Sequence, residues 1–184
     1  MTNRLSIASA LSILLLYLFG LSCSAEPTVQ NQQGSNVASC KKFVKEFYTW
    51  YCFGKPEPKE EIVLKKKKSL LSPKLYAALK EDLDASAKSP GEIVGLDFDP
   101  FLNAQDVAEK YAVGDVKQKG ANYLVDVWGT WNGKRQKKPD VVAEVQNVNG
   151  KWVFTNMHYG KSKFPENENL LSVLSTLKKS RAHN

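Results

Sequence analysis

Tyr123 to Gly133 reads Y-L-V-D-V-W-G-T-W-N-G. Apolar and polar side chains alternate along it, and it ends on Asn-Gly, the strongest short hairpin signal. The same pattern recurs on both sides. Tyr111 to Lys117 alternates and turns at Lys119-Gly120, and Asp140 to Val148 alternates and turns at Asn149-Gly150. Lys151 to Tyr159 follows as a fourth strand. These turns predict a four-stranded antiparallel meander. Tyr123, Val125, Val127 and Trp131 share one face of the second strand; Leu124, Asp126, Trp128 and Thr130 share the other. Val141, Ala143 and Val145 face one way in the third, opposite Glu144 and Gln146. In the fourth strand Trp152 and Phe154 are out of phase with Met157 and Tyr159. The strand therefore either carries a bulge near Thr155-Asn156 or is buried on both faces. The second turn is either tight or extended into a basic loop over 132–139, with Lys134, Arg135, Lys137 and Lys138.

Upstream of the meander the period changes to that of a helix. Cys40, Phe43, Val44, Phe47, Trp50 and Tyr51 form one stripe over Ser39 to Cys52, ended by Gly54 and Pro56. Tyr48, Trp50 and Tyr51 are the aromatics of this helix that a pocket could use. Lys59 to Leu71 suits a short helix with a solvated run of four lysines. Ser72-Pro73 opens a further helix as N-cap and first helical residue, with Leu75, Ala78, Leu79 and Leu83 as its stripe. Glu168 to Arg181 predicts a short C-terminal helix on Leu170, Leu171, Leu174 and Leu177. Helices followed by a meander imply an α+β domain, with the N-terminal helices packed on one face of a bent sheet.

The first 25 residues stand apart. Arg4 precedes an apolar run from Ile7 to Leu21, followed by small residues to Ala25. This reads as a signal peptide cleaved near Ala25, and implies a periplasmic or secreted chain. The run is shorter than the ~20 residues of a membrane-spanning helix. Gly20-Leu21-Ser22-Cys23 offers an alternative: lipidation of Cys23, which would anchor the protein to a membrane. Residues 26–37, rich in Gln, Asn and Ser, read as a flexible tether. Residues 38–160 form a single α+β domain, and 161–184 a C-terminal tail holding the short helix. Cys40 and Cys52 are separated by twelve residues, which rise about 18 Å in a helix. They cannot bond to each other if one helix spans both.

Four pieces of this chain together resemble a known family. They are F-Y-T-W-Y at 47–51, L-L-S-P-K-L at 70–75, D-P-F-L-N-A-Q-D at 99–106 and G-K-W-V-F at 150–154. In order and spacing they are similar to the bacterial domain-of-unknown-function family 3828. The resemblance spans about Val37 to Tyr159. It implies an exported or lipid-anchored envelope protein with a cone-like, nuclear transport factor 2-like fold. It implies no activity.

Functional readings centre on Asp97 to Asp106, D-F-D-P-F-L-N-A-Q-D. Asp99 before Pro100 suits an N-cap for one turn, with Phe98, Phe101 and Leu102 plugging the end of the sheet. Asp97, Asn103, Gln105 and Asp106 then either bond their own backbone or form a polar rim. With Tyr48 and Trp128 they are the candidate binding residues. Calcium is a third reading of the oxygen-rich stretch, although its spacing is not that of an EF-hand loop. The two histidines and separated cysteines make no zinc pattern, and there is no glycine-rich phosphate loop. No cofactor is implied. His158 is the one candidate catalytic base, paired with Asp126 or Asp106.

The net charge of +7 comes from 26 basic and 19 acidic residues spread along the chain. That scatter speaks against nucleic acid as a partner. The expected function is a non-enzymatic binding or interaction module, holding a small molecule, peptide or envelope protein. The alternatives are a cone-fold enzyme using His158 and an inhibitor or immunity-type protein acting by surface contact.

Overall fold

The computed structural model describes residues 29–54, 60–160 and 169–183, with side chains from Gln33 onward. The signal-peptide and Cys23 readings lie outside these residues. Among the described residues no helix is long and apolar enough to cross a membrane.

Helix α1 spans Val29–Phe53. It starts earlier than the apolar pattern, so residues 29–37 are helical rather than a loose tether. Glutamine tolerates a helix well, and Gln33 also donates to Gln118 Oε1 at 3.2 Å, beside the first hairpin. Cys40, Val44, Phe47, Tyr48 and Tyr51 form the buried stripe. Tyr48 belongs to this core and Trp50 sits at its edge, under the Lys67 ammonium. Phe47 is the hub, with ring centroids 4.6 Å from Phe154, 5.2 Å from Tyr51 and 5.3 Å from Phe101. Cys40 and Cys52 lie within α1 and both are free.

Helix α2 (Glu60–Lys66) and a 3₁₀ turn (Lys68–Leu70) lead into α3 (Pro73–Lys88). Ser72 caps α3 as its sequence predicts, accepting from Leu75 N at 3.3 Å. Ser72 N also donates to Phe154 O at 2.8 Å, which ties the start of α3 to the sheet.

The sheet contains β1 (Lys110–Lys119), β2 (Asn122–Trp131), β3 (Lys134–Arg135), β4 (Val141–Val148) and β5 (Lys151–His158). The order is β1-β2-β4-β5, antiparallel throughout, with β3 beside the end of β2. Both readings of the second turn meet here. Asn132 and Gly133 have φ of 51° and 70°, making a tight hairpin, and the basic stretch continues beyond it. Thr155 is the extra residue in β5: Val145 pairs with Phe154, but Glu144 pairs with Asn156. This bulge puts both Phe154 and Met157 into the core. Helix α4 (Leu170–Arg181), capped by Asn169, packs against α3 and β5. The result is an α+β fold with helices on one face of the sheet. The inner face is filled by packed side chains.

Candidate binding cleft

The Asp99 turn is built as its sequence suggests. Oδ1 of Asp99 accepts from Phe101 N at 2.8 Å and Leu102 N at 3.1 Å. Asn103 closes the turn, donating its N–H to Asp99 O and adopting a left-handed φ of 53°. Three tyrosine hydroxyls then clamp it. Tyr51 donates to Asp99 Oδ2 at 2.7 Å, Tyr48 to Phe101 O at 2.7 Å and Tyr159 to Pro100 O at 2.8 Å. Burial raises the Asp99 pKa, and the bonds from Tyr51, Phe101 and Leu102 oppose that rise. Tyr51→Phe removes one of these bonds and leaves a buried carboxylate oxygen short of a donor. A loss of about 1–3 kcal/mol is expected by urea unfolding; an unchanged midpoint would mean that the hydroxyl contributes nothing.

Glu60 lies close enough to Asp82 and Asp99 to feel both charges. Its Oε1 is buried with no hydrogen-bond partner among the described residues. Burial pushes its carboxyl up to about 8, and the charges of Asp82, Asp99 and Glu61 add to the rise.

Before the turn, residues 93–98 run along the C-terminal part of α3. The buried Asp82 holds them there. Its Oδ2 accepts from Leu96 N at 2.9 Å and its Oδ1 from Arg181 Nη1 at 2.7 Å. Arg181 also donates to Val94 O at 2.7 Å and to Glu81 Oε2 at 2.9 Å. One guanidinium thus joins α4, α3 and the 93–98 segment. Gly95 permits the close approach. A Cβ there would collide with Ser86 Oγ and lie 2.8 Å from Asp82 Oδ2. Gly95→Ala is therefore expected to cost about 1–3 kcal/mol by thermal unfolding, as overpacked sites do. Ala at Gly91, whose Cβ position is open, is the steric control, although its φ of 89° adds backbone strain.

Between this segment and α4 lies a cleft of about 550 Å³. Ile93, Leu96, Phe98, Val173 and Leu177 give it apolar walls, and Asp97, Asn103 and Thr176 supply polar edges. Ile93 is 84% exposed at its border. No family model, curated protein or solved structure matches this chain. The cleft's chemistry therefore rests on its own residues: a mixed lining in which apolar side chains alternate with polar groups, with one carboxylate at the edge.

Of the residues expected to bind, the structure brings Asp97 and Asn103 to this cleft. Gln105 turns back, donating to Asp97 O at 3.4 Å, and Asp106 is exposed away from the cleft lining. Tyr48 is a core residue because its hydroxyl is needed at Phe101. Trp128 lies on the helix-free face, with the Arg135 guanidinium 3.8 Å above its ring. Gly114 leaves the room for that indole. His158 pairs with Glu144 at 2.7 Å, not with Asp126 or Asp106. Glu144 is further held by Asn122 at 2.7 Å and Thr155 at 2.8 Å. Among the described residues no group of three His, Cys, Asp or Glu could hold a metal ion. Sequence reasoning missed the α4 wall and Ile93. The signal for Ile93 was an apolar residue in a segment with no periodic partner. Val173 and Thr176 gave no signal, because they fall outside the leucine stripe.

Proposed function

We propose that this chain is an exported bacterial envelope protein that acts as a non-enzymatic binding module through the cleft between residues 93–98 and α4. The observation that carries the reading is the cleft itself: apolar side chains of Ile93, Leu96, Val173 and Leu177 set among the polar groups of Asp97, Asn103 and Thr176, with one wall stapled by the Asp82–Arg181 pair. A site supported in this way is pre-organised, which lowers the ordering cost of binding. The signal-peptide pattern supports export, with a lipid anchor at Cys23 as the alternative. The four sequence pieces support family 3828 and its nuclear transport factor 2-like cone, with the helices lying in the curve of the sheet.

Site-specific photo-crosslinking in the envelope tests the reading. A photoreactive phenylalanine analogue replaces the exposed Thr176 in the cleft, or Lys117 on the far face of the sheet. Adducts from position 176 alone are expected. Adducts from position 117 alone would overturn the cleft reading in favour of surface contact. As a second check, Thr176→Trp should fill the cleft and abolish capture while leaving the unfolding midpoint within about 0.5 kcal/mol of the parent, as surface changes usually do.

A further inference from the structure

The cleft does not end at Asn103. A second depression of about 560 Å³ begins on the other side of that residue, bordered by Lys137, Lys138, Asp140 and Gly160. Asn103 and Tyr159 border both. They form a fixed ridge. Asn103 is held by its turn and by Nδ2 donating to Asp140 O at 3.2 Å, and Tyr159 by its bond to Pro100 O. Phe98 and Tyr159 meet edge to face beneath it, with centroids 5.5 Å apart. The two ends differ in charge. Asp97 marks the first; at the second, Lys137 and Lys138 outnumber Asp140, whose Oδ2 already accepts from Gly129 N at 2.7 Å. No ion pair among the described residues engages Asp97, Lys137 or Lys138.

We infer that the two depressions form one groove for an extended peptide segment of a partner protein. Its apolar side chain sits between residues 93–98 and α4, a basic residue faces Asp97, and an acidic residue faces Lys137 and Lys138. This rests on the binding reading and adds the class of ligand. Two open depressions meeting at a rigid ridge suit a chain that can bend around it. Opposite charges at the ends fix the direction of that chain, the usual role of charges at an interface rim. The apolar walls supply the anchor.

The test uses capped heptapeptides and NMR titration of the purified chain. Each has a central leucine, with lysine and glutamate toward opposite ends in either order; a third has serine at both ends. One charge order is expected to bind about two- to thirtyfold more tightly than the serine peptide, as two exposed ion pairs allow, and more tightly still than the reverse order. Shifts should appear at Leu96, Leu177 and Lys138. The triple variant Asp97→Lys, Lys137→Glu, Lys138→Glu should then prefer the opposite order. Equal binding of all three peptides, unaffected by the triple variant but lost with Thr176→Trp, would overturn the dipolar peptide and leave the cleft reading intact. Failure of every peptide to bind would also overturn it, and crosslinking from position 176 would still decide the cleft separately.

Discussion

Arg181→Leu is expected to destabilise the protein by about 3–5 kcal/mol, because it leaves a carboxylate buried without its partner. That carboxylate is Asp82, whose side chain is 4% exposed, against 17% for Arg181. The variant also frees Val94 O and loosens Leu96, whose N–H bonds to the same Asp82. Denaturant unfolding should show the full loss. Hydrogen exchange should show Leu96 N–H opening before the sheet does. Arg181→Lys keeps a charge but cannot serve three acceptors in one plane, so an intermediate loss is expected. Replacing both partners by leucine should recover part of the loss, since no lone charge is then buried, while Leu96 N–H and Val94 O still go without their partners. A loss below about 1 kcal/mol for Arg181→Leu would show that solvent reaches Asp82 and that the staple is weak.

Glu60 makes stability depend on pH in the direction opposite to most carboxylates. Its pKa is raised on folding, from 4.5 to about 8. The folded state therefore holds the proton more tightly, and the group's contribution is fully present below about 4.5. It is lost as pH rises through about 8. Between pH 5 and pH 8.5 the unfolding free energy is expected to fall by roughly 2–4 kcal/mol. Glu60→Gln stays neutral and should flatten most of this fall, so that the variant exceeds the parent in stability at pH 8.5. Asp99, whose pKa is also raised by burial, contributes a smaller slope of the same sign. Parallel profiles for parent and variant would exclude Glu60 as the source.

The parts of the fold readable in the sequence are those set by local rules. Asn132-Gly133 and Asn149-Gly150 marked two hairpins because few other dipeptides accept positive φ at both positions. Ser72-Pro73 and Asp99-Pro100 marked caps for equally local reasons. The phase slip in β5 allows either a bulge or burial on both faces, and only the register with β4 decides for the bulge at Thr155. The start of α1 was not readable, because residues 29–37 lack an apolar stripe. The site was half legible. Asp97 and Asn103 lie next to the turn that places them. Arg181 and Asp82 are separated by 99 positions, and nothing in either local sequence announces the pair. Tyr48 reads as a pocket residue because an aromatic on a helix looks the same from sequence whether its hydroxyl meets ligand or backbone. The partner of His158 is not readable, because Glu144 lies diagonally across from it on β4 and becomes adjacent only once the register of β4 and β5 is known.

The tyrosine clamp bears on the order in which the chain folds. The bonds from Tyr48, Tyr51 and Tyr159 to the turn span 53, 48 and 59 positions, and the donors lie on both sides of it in the chain. The turn cannot settle when α1 forms, because its last anchor lies directly after β5. Most of the sequence must be present before the core closes, and contacts this distant slow the search for the native state. A nascent chain stopped before Tyr159 therefore stays open until the last strand and the residue after it have been made.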